Sequence, residues 1–268
     1  MAFSTEQTYV VSGNLISATT EDTNTLSYED FIHSNLLAQM GADKKLGSRF
    51  VDPAGWLSFF KNTVGNLFWN LSEQGTSTLK ISAGTASITV QQILEQSFFK
   101  RLNQAQIDSA TASVDLFSQL SEDDPAFILY NAKSHAQIST ATKVIKPPQK
   151  ETYSVNLQIS IAHTGSEIAL CNIFFQTSQA VSDELFTQKF AIKDLIGNIN
   201  VFYLKALLSE TNYGHIRQQV IEKLGENINT NIVLVADNSD KPSPPFSHRG
   251  AQFHTQPENL IQQRTGPP

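Results

Sequence analysis

The sequence predicts an α+β domain in which helices cover the faces of a mostly antiparallel β-sheet. Three observations support this fold class. Amphipathic helical patterns occupy much of residues 53–120, strand patterns dominate from residue 153 onwards, and one more helical pattern spans residues 213–224. Helices that precede a run of strands, instead of alternating with them, are typical of α+β proteins, so we expect a single layered domain.

The composition restricts the classes of function. The chain has 268 residues, 40% of them apolar, which is enough for a sizeable core. Its net charge of −6 argues against nucleic acid as a partner and disfavours simple adsorption on anionic lipid, whereas zwitterionic lipid stays open. A single cysteine, Cys171, excludes an intrachain disulfide and a cysteine-based zinc cluster.

The two ends of the chain differ in composition from its middle. Residues 1–50 are polar and rich in Ser and Thr, and they predict a weakly structured segment with a short helix at 28–40. Residues 1–20 lack the basic and apolar regions of a secretory signal, so we expect production in soluble form in the cytoplasm. Residues 51–236 form the predicted domain, and residues 237–268, with six of the ten prolines, form a predicted disordered tail.

Three helices are predicted in the first half of the domain. Asp52 and Pro53 have the residue types of an N-cap and a first helical position, and apolar residues repeat at helical spacing over 53–74. A second helix is expected at 89–102 and a third at 105–120, with a short break at Asn103-Gln104 that predicts a helical hairpin. Trp56 and Trp69, near the ends of the first helix, are either core residues or interfacial anchors.

The strands follow, and the clearest of them is residues 153–162. There Tyr153 and four aliphatic residues alternate with small polar ones, a period of two that indicates a strand. A turn at His163-Thr164-Gly165-Ser166 predicts a hairpin with a second strand at 168–177, which is apolar on both faces and therefore central. Weaker strand patterns occupy 126–130, 186–192, 198–207 and 231–235, and Gly225 is positioned to cap helix 213–224.

Several of these segments resemble the Cyt-type cytolytic δ-endotoxin family, over roughly residues 85–225. The residues that carry the resemblance are Ile107-Asp108-Ser109-Ala110-Thr111-Ala112-Ser113-Val114, Ala126-Phe127-Ile128, the hairpin residues Tyr153, Asn156, Thr164-Gly165 and Cys171, and Asn198-Ile199-Asn200-Val201. The resemblance implies a single domain with helical hairpins flanking the sheet. It also implies a protein that binds phospholipid without a receptor, oligomerises and permeabilises membranes as a toxin or virulence factor.

In a distant relative with this fold, the palmitoylated Erwinia virulence factor, a buried cysteine carries a fatty acyl chain. By kinship of fold, Cys171 is the candidate for lipid attachment here, with an acyl chain as the only cofactor considered. The alternative interpretation of Cys171 is a small buried hydrophobic residue.

The resemblance implies that the hairpin is a candidate membrane-insertion segment. Lipid-spanning strands need about 9–11 residues of alternating polarity, and they must close into a barrel, which requires oligomers. The insertion candidates are Tyr153, Val155, Leu157, Ile159, Ile161, Ile168, Leu170, Ile173, Phe174 and Phe175. The residues expected to shield the sheet in water are Val90, Ile93, Leu94, Phe98, Ile107, Val114 and Phe117.

Other interpretations stay open. The hairpin is equally explained as an ordinary half-buried sheet, and helices lying on the membrane interface would perturb a bilayer without a pore. The sequence contains no recognisable catalytic motif and only scattered histidines, so we expect no metal site and regard acyl chemistry at Cys171 as the only enzymatic option. A lipid-binding or acyl-transferring protein and a plain interaction module are the competing classes of function.

Overall fold

The computed structural model describes residues 5–20, 26–138, 151–163 and 166–235. The strands are β1 (Thr5–Val11), β2 (Asn14–Thr20), β3 (Trp69–Thr78), β4 (Ser87–Ile88), β5 (His135–Ile138), β6 (Thr152–His163), β7 (Glu167–Thr177), β8 (Phe190–Ala191), β9 (Leu195–Leu208) and β10 (Ile232–Val235). The helices are α1 (Leu26–Leu46), α2 (Pro53–Asn66), α3 (Val90–Gln96), α4 (Gln104–Ser118), α5 (Pro125–Ser134), α6 (Glu210–Gly214), α7 (Arg217–Leu224) and α8 (Asn227–Asn231). Within these ranges, no helix has the length and apolar character needed to cross a bilayer.

One large sheet organises the domain. Its strand order is β10-β1-β2-β6-β7-β9-β3, and β5 pairs with the beginning of β6. All neighbouring strands are antiparallel except β2 and β6, which run parallel. Strands β4 and β8 form a separate two-stranded ribbon. The predicted α+β class, with a mostly antiparallel sheet, is confirmed.

Helices cover both faces of the sheet and create two cores. On the first, which we call the α4 face, buried residues of α3, α4 and α5 pack against β6, β7 and β9. On the second, the α1 face, buried residues of α1, α2 and α7 pack against β2, β7 and β9. Strand β7 is central, and because helices cover both faces, its alternating side chains enter both cores, as its two apolar faces predict.

Local sequence explains where the first helices begin. The side chain of Asp52 accepts a hydrogen bond from Gly55 N at 2.9 Å, and Pro53 occupies the first turn of α2. Helices α3 and α4 both start with capping boxes, which pair Thr89 with Gln92 and Asn103 with Gln106. The predicted helix at 89–102 is α3 followed by a 3-10 turn at Phe99–Arg101, and the predicted helix at 105–120 is confirmed as α4.

The first fifty residues are a correction to the sequence analysis, because they contain β1, β2 and the whole of the long helix α1. The prediction failed because small polar residues are packed inside the fold. Thr8 and Ser17 hydrogen-bond to Ser113 and Ser109 of α4, while Val10, Leu15 and other neighbours on the strands are buried. The domain therefore begins well before residue 51.

The sequence analysis also predicted the wrong type of element in two places. The helix predicted at 53–74 ends at Asn66, and β3 begins at Trp69, because pairing with β9 satisfies its backbone. The strand predicted at 126–130 is helix α5, since Asp124 accepts from Ala126 N and Pro125 favours the first turn.

The later elements agree with the sequence in most places. Strands predicted at 153–162, 168–177, 198–207 and 231–235 are confirmed, whereas 186–192 supplies only the two residues of β8. Residues 213–224 divide into the end of α6 and the whole of α7. Gly225 has φ of 51° and donates its N–H to Ile221 O, as expected of a cap. The tail 237–268 and turn residues 164–165 lie outside the described residues.

Candidate functional site

The β6–β7 hairpin presents a continuous apolar surface on the α4 face. Its paired residues there are Val155–Phe175, Leu157–Ile173, Ile159–Cys171 and Ile161–Ala169. Each of these eight side chains is at most 1% exposed. We call them the apolar strip. The strands that carry the strip have 12 and 11 residues, which is at least the length that a lipid-spanning strand needs.

The predicted shielding residues belong to the same core as this strip. All seven contact the core of the α4 face, six of them buried and Ile107 only partly so. Two pairs of hydroxyl groups join α4 to the sheet: Ser109 Oγ lies 2.5 Å from Ser17 Oγ, and Ser113 Oγ lies 2.8 Å from Thr8 Oγ1. Helix α4 is therefore held by apolar packing and two polar contacts.

The predicted insertion residues do not share one face. Tyr153 is half-buried and has the parity of the apolar strip, as do Val155, Leu157, Ile159, Ile161, Ile173 and Phe175. In contrast, Ile168 and Leu170 belong to the core of the α1 face, and Phe174 lines a cleft beside α2. Seven of the ten predicted residues therefore share the face of the apolar strip, and membrane insertion of the set stays a prediction. Ala169 and Cys171 complete the surface.

The opposite face of β6 is polar and yet fully buried. Ser154, Asn156, Gln158 and Ser160 point to the α1 face and are each at most 1% exposed. Sequence reasoning identified this polar side of the strand but did not predict its burial, because alternation alone does not show what covers each face. Burial of so many polar groups on one strand carries a free-energy cost unless each finds a partner.

A hydrogen-bonded cluster under α1, which we call the polar seam, contacts part of this face. Arg49 Nη1 donates to Gln39 Oε1 at 2.8 Å, and Arg49 Nη2 lies 3.1 Å from Asp43 Oδ2. Asn156 Nδ2 donates to the backbone oxygen of Arg49 at 2.7 Å, and Asn172 Nδ2 donates to Asn156 Oδ1 at 2.8 Å. Burial lowers the pKa of Arg49, and the nearby Asp43 carboxylate opposes that shift.

Several groups near the polar seam remain without partners. Within the described ranges, neither amide atom of Gln158 has a hydrogen-bond partner, nor does Ser154 Oγ or Asn35 Nδ2. A buried unpaired polar group costs about 1–3 kcal/mol. The α1 face of β6 therefore carries polar side chains that this packing leaves incompletely satisfied.

Cys171 lies inside the apolar strip. It is a free thiol with no exposure, and burial raises its pKa, which lowers its reactivity as a nucleophile. An acyl chain on this sulfur requires its neighbours to move.

Trp56 and Trp69 are also core residues in this state, at 0% and 1% exposure, and Trp56 Nε1 donates to Asp43 Oδ1 at 2.6 Å. Among described residues, no cluster of His, Cys, Asp and Glu has the composition of a metal site.

Comparisons with known proteins give a likeness of fold alone. No protein-family model matches the chain, and no curated protein matches it. A solved structure of the Evf virulence factor is similar with 8% identity and a TM-score of 0.34, over 73% of this chain and 70% of that one. A delta-endotoxin structure is similar with 12% identity and a TM-score of 0.36, over 74% of this chain and 84% of that one. Neither likeness establishes membership of a family.

Proposed function

We propose that this protein binds phospholipid membranes and permeabilises them as an oligomer, by turning the apolar strip of the β6–β7 hairpin towards lipid. The observation that carries the proposal is the two-sided composition of β6. One side consists of fully buried apolar residues, and the other consists of buried polar residues with unpaired groups. Strands of lipid-embedded barrels have this pattern, apolar outside and polar inside.

The polar side supports the proposal through its energetics. In the water-soluble state the Gln158 amide and Ser154 hydroxyl have no partner within the described chain. In a barrel that α1 no longer covers, their side of the strand faces an aqueous lumen, where water satisfies them. A polar residue that is costly in one state and favourable in another is understandable in a protein that populates both states.

The apolar side requires the α3–α4 layer to move. This layer consists of α3, the 3-10 turn and α4. Strand β4, which pairs with β8, connects its start to the exposed residues 82–86, and the buried Leu120 connects its end to the exposed residues 121–123. These segments are candidate hinges because they are exposed connecting chain, whereas the helices between them are packed in the core. Once the layer rotates away, the strands can enter lipid only as part of a closed barrel, so the open state assembles with other copies of the chain.

The proposal includes production in soluble form in the cytoplasm and release to act on the membranes of target cells. In the closed state the apolar strip is fully covered, which is compatible with both steps. The partners are phospholipid and further copies of the chain. No catalytic step is involved, and no covalent cofactor is needed for permeabilisation.

Release of a trapped dye from phosphatidylcholine vesicles tests this function. The protein is added either untreated or after limited proteolysis. We expect concentration-dependent release by the wild-type protein, because the strip gains a lipid environment. Cys171→Ala should release dye at a comparable rate, since the change keeps position 171 small and apolar.

Two results would favour the acyl alternative at Cys171 instead. One is loss of release by a correctly folded Cys171→Ala variant, and the other is a hydroxylamine-sensitive fatty acyl mass on protein from its native producer. Complete inertness of the wild-type protein across lipid compositions would contradict the proposed function.

A further inference from the structure

A second feature lies away from the hairpin, at the β3 end of the sheet. A pocket of about 490 Å³ opens there between β3, β9 and the α3–α4 layer. Phe98 and Val201, both buried, contribute apolar surface to it. Lys80, Lys100 and Arg101 also line it. We call this site the basic pocket.

The charge of the basic pocket is opposite to that of the chain. The residues that line it include three cations and no carboxylate, whereas the protein carries a net charge of −6. In the described part of the chain, neither Lys80 nor Lys100 forms an ion pair with a carboxylate. Two unpaired, exposed lysines that line one pocket create a local positive field that attracts anions.

Arg101 is held in a fixed position in the pocket. Its guanidinium carbon lies 3.5 Å from the centroid of the Tyr203 ring, and its Nη1 donates to Glu73 Oε1 at 3.0 Å. Glu73 also lies 3.8 Å from Lys205 Nζ, so its charge is shared between two cations. Stacking on Tyr203 orients the planar guanidinium, and a guanidinium fork suits the oxygens of a phosphate.

We propose that the basic pocket binds the phosphate group of a phosphate ester, with Lys80, Lys100 and Arg101 as its cationic ligands. The apolar lining accommodates the organic part of the ester, since the pocket is larger than a lone phosphate requires. This chemistry has two sources, a phospholipid headgroup or a soluble phosphate ester. The inference extends the proposed function but does not depend on it, because the pocket exists in the closed state.

The test compares two double variants with the same change in net charge. Lys80→Gln/Lys100→Gln removes the unpaired cations of the pocket. Lys44→Gln/Lys45→Gln is the control and removes two exposed cations from the last turn of α1. Binding of sn-glycerol 3-phosphate is measured by calorimetry at constant ionic strength. Binding to phosphatidylcholine vesicles is measured by flotation.

We expect the pocket variant to weaken binding about tenfold and the control to stay within twofold of wild type. If the pocket variant binds vesicles more weakly than the control does, the site is assigned to a lipid headgroup, whether or not glycerol phosphate binds. If the pocket variant binds only glycerol phosphate more weakly, the site is assigned to a soluble ester. That assignment holds even if the wild-type protein does not bind vesicles. The proposal is overturned if neither probe distinguishes the pocket variant from the control.

Discussion

A disulfide that joins α4 to β2 is expected to abolish dye release from vesicles. Ser17 Oγ and Ser109 Oγ lie 2.5 Å apart, so the double variant Ser17→Cys/Ser109→Cys places two sulfur atoms near bonding distance with little backbone movement. The oxidised protein keeps α4 over the apolar strip. Because the proposed function requires this layer to leave, we expect release to fall to the background rate.

Reduction of the same protein is the matched control, since it breaks the link and leaves the sequence unchanged. The reduced protein and both single variants should release dye at rates close to wild type. A second link, Thr8→Cys/Ser113→Cys, joins the same helix to β1, where the hydroxyl oxygens lie 2.8 Å apart, and should act in the same way. Equal release by oxidised and reduced protein would show that α4 does not need to move.

Arg49→Ala is expected to cause the largest loss of stability among single substitutions at charged residues. The Arg49 side chain is 3% exposed, stacks at 4.4 Å over Trp56, and hydrogen-bonds to Gln39 and Asp43. Its removal leaves a cavity and unpaired groups in the polar seam, at a cost of about 3 kcal/mol in the free energy of unfolding. Urea denaturation measures this cost as a lower midpoint concentration of urea, with the slope of the unfolding free energy against urea unchanged.

Arg101→Ala is a matched control for that prediction. Arg101 is also paired with a carboxylate and stacked on an aromatic ring, but its side chain is 37% exposed. An exposed pair of this kind contributes about 1 kcal/mol or less. We therefore expect Arg49→Ala to be much more destabilising than Arg101→Ala, and Arg49→Lys to lie between them. Similar costs for the two alanine variants would mean that the polar seam does not stabilise the α1 layer.

The elements that the sequence predicts well are those with a strong period or a clear cap. The alternation of residues 153–162 predicted β6, and Asp52-Pro53 predicted the start of α2. Where a pattern was short or polar, tertiary contacts decided the outcome. Leu71 fits the helical spacing of the predicted helix at 53–74, yet pairing with β9 makes it part of β3. Thr8 and Ser17 concealed two buried strands because their hydroxyl groups pair with α4.

Only the apolar half of the candidate site was predictable from the sequence. The alternation of β6 identified the apolar strip, and helical spacing identified residues of α3 and α4 that cover it. The polar seam was not predictable, because Arg49 and Asn156 are far apart in the sequence and meet only through the packing of α1 on the sheet. The basic pocket was missed for the same reason, since β3, α3 and β9 contribute to it from distant parts of the chain.

The most direct test of membrane insertion is the reactivity of single cysteines placed along β6 in a Cys171→Ala background. A water-soluble thiol reagent is added to the protein in solution and on leaking phosphatidylcholine vesicles. Positions 154–161 are all at most 1% exposed in the closed state, so none should react in solution. On vesicles we predict that cysteines at Ser154, Asn156, Gln158 and Ser160 become reactive while those at the intervening apolar positions stay protected. Continued protection of all eight positions on leaking vesicles, or reaction without alternation, would contradict insertion of β6 as a barrel strand.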